Sequence, residues 1–156
     1  MDRIEYREFT RWKRAAVTRQ EWRDLAEERV LDASALLNTH RWSAAYYLAG
    51  YAVECGLKAC VLAYVERNVD VIFREKRYSE DCWTHDIEKL VALAGLKARR
   101  DADIAANTVL EDNWLIVKEW KETARYKATA QLKAEKLYQA VTDSANGVLP
   151  WIRNHW

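Results

Sequence analysis

Apolar and polar residues alternate along this chain with a helical period almost throughout. Trp22, Leu25, Ala26, Val30, Ala33, Leu36 and Leu37 recur every three to four positions behind the capping box Thr18-Arg-Gln-Glu21, which predicts a first main helix from about Arg19 to Asn38. Ahead of it, Tyr6, Phe9, Trp12 and Ala16 form a shorter stripe among Arg3, Arg7, Arg11, Lys13 and Arg14, so residues 1–17 read as an N-terminal helical arm. Its aromatic residues suit packing onto the bundle or onto a second subunit, and its basic residues suit contact with RNA. A polar connection runs from about Glu66 to Trp83, longer than a usual bundle turn, in which Val69 to Phe73 extend the preceding helix or form a small turn. A helix restarts at Thr84-His-Asp-Ile-Glu-Lys-Leu90, with Thr84 as its N-cap and Gly95 near its end. Ile104, Leu110, Trp114, Val117 and Trp120 mark one further helix. A long last one spans Ala128 to Leu149 through Leu132, Leu137, Val141 and Val148, with Gly147 and Pro150 disturbing its end.

Between these lies the most apolar segment, Ser43 to Val65, whose only charged residues are Glu54 and Lys58. Four residues is about one helical turn, so the carboxylate and the ammonium share a face. A helix apolar nearly all round belongs at the centre of a bundle. It is long enough to span a bilayer, but each central charge costs about 2.5 to 3.5 kcal/mol against about 0.3 to 0.6 gained per Leu or Val, which favours a soluble core helix. Two stripes are visible on it. Ala45, Ala49, Ala52, Gly56, Ala59 and Ala63 form a seam of small side chains where something packs closely. Tyr47, Tyr51, Glu54, Lys58, Val61 and Val65 form another, the best candidate for a polar site, whether as a pair satisfied by neighbouring helices or as a functional group.

The chain has 156 residues, the size of one domain with its own core, and 25 basic against 24 acidic residues, so no global field draws it to nucleic acid or to an anionic membrane. Four Gly and one Pro in the whole sequence agree with helices joined by short connections. The expected architecture is all-α, an antiparallel up-and-down bundle of about five helices forming a single domain over residues 1–156. Cys55, Cys60 and Cys82 are an odd number of thiols in a chain that opens without an apolar signal segment, which suggests a reducing cytoplasm. Cys82-Trp-Thr-His85 has the spacing of half a zinc site. Cys55 and Cys60, five apart on a helix, point more than about 100° from each other, so the thiols read as structural, with no metal and no cofactor expected.

These residues carry a resemblance. Trp22 through Asn38, then Arg41-Trp-Ser-Ala-Ala-Tyr-Tyr47 with Ala52-Val-Glu54-Cys-Gly-Leu57-Lys58-Ala59, then Thr84-His85-Asp86 before Lys89-Leu90, and finally Arg125-Tyr126 before the last helix, resemble in order and spacing the HEPN domains. These are the higher eukaryote and prokaryote nucleotide-binding helical bundles, and the resemblance covers about Trp22 to Val148. It implies an antiparallel helical bundle, usually a homodimer, found in prokaryotic toxin–antitoxin, antiviral defence and RNA-processing systems. It also implies binding of RNA, a nucleotide or a partner protein, often a nucleotidyltransferase.

Ribonuclease members of that family carry an arginine, four to six residues, then a histidine, a pairing that suits metal-independent RNA cleavage. This chain departs from it. Ala130, Gln131 and Leu132 stand where Arg125 would require the histidine, and seven residues separate Arg77 from His85. Arg153 and His155 are too close, Arg29 and His40 too far apart. The expectation is therefore a non-catalytic binding module, with a polar cluster of Tyr51, Glu54, Lys58, His85, Arg125 and Tyr126 in which Arg125 either holds a phosphate or pairs with Glu54. The alternative is an endoribonuclease toxin with a displaced set drawn from Arg77, His85 and Arg125.

Overall fold

A computed structural model describes residues 18–156, all of whose regular elements are helices, with no strand among the described residues. The N-terminal arm expected over residues 1–17 lies outside the described residues. Helix α1 (Arg19–Asn38) begins at the anticipated capping box: Glu21 N donates to Thr18 Oγ1 at 3.1 Å and Thr18 N donates to Glu21 Oε2 at 3.0 Å. His40, in the left-handed region at φ 58°, reverses the chain into α2 (Trp42–Arg67). The two run antiparallel, since Arg19 at the start of α1 pairs with Glu66 near the end of α2 at 3.0 Å.

Helix α2 is the axis of the molecule, packed by α1, α5, α8, α9 and the 3-10 turn at Glu122–Tyr126. It is the one helix among the described residues long and apolar enough to cross a membrane, and 67% of its most apolar window is buried by the rest of the chain, consistent with a soluble protein. The small-residue seam lies wholly inside. At Gly56 an added Cβ would meet Ile152 Cγ2 at 3.0 Å and Leu149 Cδ1 at 3.3 Å, so the C-terminal helix α9 (Val148–Arg153) docks on the seam at that point. Arg153 clamps that end to α1 through a bidentate contact with Glu27, at 2.7 and 2.8 Å.

The long connection holds two single-turn helices, α3 (Val71–Arg74) and α4 (Tyr78–Asp81), anchored by buried Val71 and by Tyr78, whose hydroxyl donates to the Leu93 carbonyl at 2.6 Å. Helix α5 (Ile87–Leu93) is capped by Asp86, which accepts from Lys89 N at 3.0 Å. The expected cap, Thr84, instead lies two residues before the actual cap and accepts from Asp86 N. Gly95, at φ 69°, ends that segment as anticipated.

The helix expected through Ile104 and Trp120 is two: α6 (Lys97–Ala106) and α7 (Thr108–Lys118). Asn107 ends the first and caps the second by accepting from Leu110 N, an alternative to continued helix that its side chain offers. Likewise the expected long last helix is α8 (Gln131–Thr142) followed by α9. Asp143 accepts from Ala145 N and Asn146 N and breaks the run, and Pro150 sits in the first turn of α9, where no intrahelical donor is lost. Leu132, read as a core position, is 63% exposed.

Candidate functional site

The polar seam of α2 is a ladder. Tyr47 and Tyr51 stack with ring centroids 6.0 Å apart and planes within 5°, one turn apart, and the next turns bring Glu54 and Lys58 to the same side. Glu54 is fully buried, at 0% exposure. Its Oε1 accepts from Lys58 Nζ at 2.8 Å and from His85 Nδ1 at 2.9 Å, while Oε2, also buried, has no hydrogen-bond partner. A carboxylate oxygen only accepts, so the Nδ1 proton of His85 points at Glu54 and Nε2 belongs to the outer part of a ring that is 53% exposed. Lys58 Nζ also lies over the Trp22 ring, 5.0 Å from its centroid, so the ammonium is held between a carboxylate and an aromatic face. Trp22, read from sequence only as a core position of α1, is thus a member of the cluster. A cation with an apolar stem in the middle of a core helix is the signal that an aromatic neighbour was needed.

Arg125 does not reach Glu54. It pairs with Glu122 inside the 3-10 turn at 2.8 Å and stacks its guanidinium 4.8 Å from the Tyr126 ring centroid. Both Arg125 and Tyr126 are exposed, apart from the Glu54, Lys58 and His85 cluster. The reason is local: the turn places Glu122 three residues from Arg125, a nearer and wetter partner than a carboxylate inside the core. Arg77 is equally separate, exposed in its connection and paired with Glu80 at 3.4 Å, and makes no hydrogen bond or ion pair with His85. The displaced set of Arg77, His85 and Arg125 is not assembled within one chain.

What the structure does assemble around Arg125 is a groove of about 510 Å³ at the start of α2, lined by His40, Arg41, Trp42, Tyr47 and Arg125 among others. Ser43 ties its floor together by accepting from Thr129 N at 2.8 Å. The His40 ring meets Trp42 edge-on, with centroids 5.0 Å apart. Tyr47 links the groove to the buried cluster. Burial raises its phenol above the ordinary value, against the opposing pull of Arg125, with Glu122 and Glu54 adding to the rise. Comparison of the chain with family models, with curated proteins and with solved structures finds no match. Two guanidinium groups, an imidazole and two aromatic side chains around an open concavity suit an anion carried by a planar ring.

The thiols border the cluster without joining a metal site. All three are free, and among the described residues no group of three or more His, Cys, Asp or Glu is placed to hold a metal ion. Burial first, then the Glu54 charge, pushes the Cys55 thiol up to about 12, and burial pushes Cys60 up to about 12 as well. Burial likewise pushes the Tyr51 phenol well above its ordinary value, with the neighbouring Cys55 and Glu54 adding to it. A thiol reagent at about pH 8 is expected to modify partly buried Cys82 first, and fully buried Cys55 and Cys60 only when the protein unfolds. Mass spectrometry of the time course checks this, and early labelling of Cys55 would show that the core around Glu54 opens.

Proposed function

We propose that this chain is a HEPN-like binding module, a bundle without the usual ribonuclease motif, that takes the phosphate and base of a nucleotide or of single-stranded RNA in the groove at the start of α2. The observation that carries this reading is the convergence there of Arg41, Arg125 and His40 with the Trp42 indole and the Tyr47 phenol. Guanidinium groups suit phosphate oxygens, and aromatic faces accept any base by stacking. A net charge of +1 confines the attraction to this locality and predicts modest, salt-sensitive binding. The resemblance in residues adds the setting: a homodimer in a prokaryotic defence or toxin–antitoxin system, beside a partner such as a nucleotidyltransferase.

Fluorescence anisotropy of a labelled oligoribonucleotide, with competition by free nucleotides, tests it. Arg125→Ala is expected to weaken binding by about tenfold or more, the loss of one charge-assisted contact, and Lys97→Ala, whose lysine pairs with Asp101 on α6, to leave it unchanged. An unmodified protein that binds neither RNA nor nucleotide at moderate salt would end the proposal. RNA that is cut during the titration, and spared by His85→Ala, would favour the endoribonuclease reading instead, for which the observation is the outward-facing imidazole oriented by Glu54.

A further inference from the structure

A second groove, of about 670 Å³, lies between α7 and α8. The two helices run antiparallel around it. Asn113 in the middle of α7 donates to the Asn146 carbonyl beyond the end of α8, while Glu119, just past the end of α7, lines the groove with Ala130, the N-cap of α8. From Ala130 to Ala140 the groove follows α8 for about 15 Å. Its volume is that of a small-molecule site, and its floor is apolar: buried Tyr46 from α2, half-buried Ile116 from α7 and buried Ala140 from α8, with exposed Leu132 at the rim.

The charged side chains of this lining do not pair. Lys133 and Lys136 share a face of α8, and the positions three and four residues from either one hold no carboxylate. Glu135, the one acid on α8, accepts from Gln131 Nε2 at 2.8 Å. Lys133 Nζ lies instead over the Tyr46 ring, 5.3 Å from its centroid, which holds the ammonium at the apolar floor. Among the described residues neither lysine nor Glu119 has an ion-pair partner. Burial first, and then the Glu119 charge, raise the Tyr46 phenol above its ordinary value, so Glu119 acts on the same floor from the facing wall. Two lysines against one glutamate leave a single positive charge to be met. Like charges three apart on a helix repel, and an anion between them removes that cost.

We propose that this groove binds an elongated apolar acid, its carboxylate held by Lys133 and Lys136 and its apolar body laid along Tyr46, Ile116 and Ala140. The residual charge selects the class. One carboxylate neutralises it, whereas a phosphate dianion brings a second negative charge toward Glu119, and a neutral chain leaves both ammonium groups unmet. The site stands independently of the nucleotide groove at the start of α2, whose lining includes neither lysine.

Isothermal titration calorimetry of the full chain with decanoate, beside decanol and inorganic phosphate, tests it. Decanoate is expected to bind at one site per chain, about tenfold or more tightly than decanol, and phosphate alone to give no saturable heat. The Lys133→Ala/Lys136→Ala variant, changed only at exposed positions, should lose about tenfold or more in affinity for decanoate and keep its affinity for decanol. Arg125→Ala should leave decanoate binding unchanged. No binding of decanoate at millimolar concentration, or equal binding with and without the two lysines, would overturn the proposal. So would a loss in Arg125→Ala that matches the lysine variant, which would move the acid to the other groove. Decanoate affinity that falls as protein concentration rises would overturn it as well, by assigning the groove to a second copy of the chain.

Discussion

Gly50→Ala is expected to destabilise the protein by about 3 kcal/mol, at or beyond the upper end of the usual cost of overpacking a core. Gly50 is buried on α2, and a Cβ there would stand 2.2 to 2.3 Å from Cδ1, Cγ and Nε1 of Trp120. That indole is 1% exposed, lies in the turn after α7 and packs on Tyr47, with ring centroids 6.1 Å apart. It is a rigid ring inside the core, not the free end of a flexible side chain. The sign of the effect is diagnostic, because alanine in place of glycine within a helix otherwise gains about 0.5 to 1 kcal/mol. Urea denaturation measures the outcome, and a lower midpoint with an unchanged slope is the expected form. Trp120→Leu in the same chain should recover part of the loss, since the two sites share one contact. A Gly50→Ala protein as stable as the parent would show that α2 and the Trp120 turn do not meet as described.

The second large effect is expected at Glu54. Glu54→Ala leaves Lys58, 13% exposed, and His85 without their shared acceptor, and breaking a buried pair in this way costs about 3 to 5 kcal/mol. Two features set the order among related variants. Lys58 can swing its ammonium outward along its methylenes, which draws the Glu54→Ala cost toward the lower end of that range. Glu54→Gln keeps the shape and one acceptor oxygen, so its loss should be smaller. His85→Ala should cost least, because its ring is half exposed. A double-mutant cycle between Glu54 and Lys58 is expected to be strongly non-additive. Were Glu54→Gln to keep full stability while abolishing ligand binding, the cluster would be a functional group and not a strut of the core.

Much of the framework was legible along the chain. The bounds of α1 follow from its capping box, and the course of α2 from an apolar run between two connections, because both signals act within a turn or two. The small-residue seam announced a close approach without saying that α9 makes it. The two helix breaks read as continuous runs for a different reason. Asn107 and Asp143 each cap from within an apolar period, and periodicity averages over a single polar position.

The candidate site divides along the same line. Glu54 and Lys58 share a face by helical spacing alone, and so do Tyr47 and Tyr51. Sequence offered Arg125 as a partner of Glu54 or a holder of phosphate, and put Lys58 and His85 in the same cluster, because a buried carboxylate wants a cation. Folding answered that need with Lys58 and with His85, 31 residues along the chain, and left Arg125 to Glu122 and to the groove. Spacing along one helix fixes which side chains share its face. Which distant residues meet that face depends on how the connecting turns close and how the helices cross. For that reason the sequence by itself determined an all-helical chain with a charged pair in its central helix. Only the tertiary structure decided that His85, already expected in the cluster, hydrogen-bonds Glu54 directly, that Trp22 covers Lys58, and that Arg41, Tyr47 and Arg125 open a groove at the far end of the same helix.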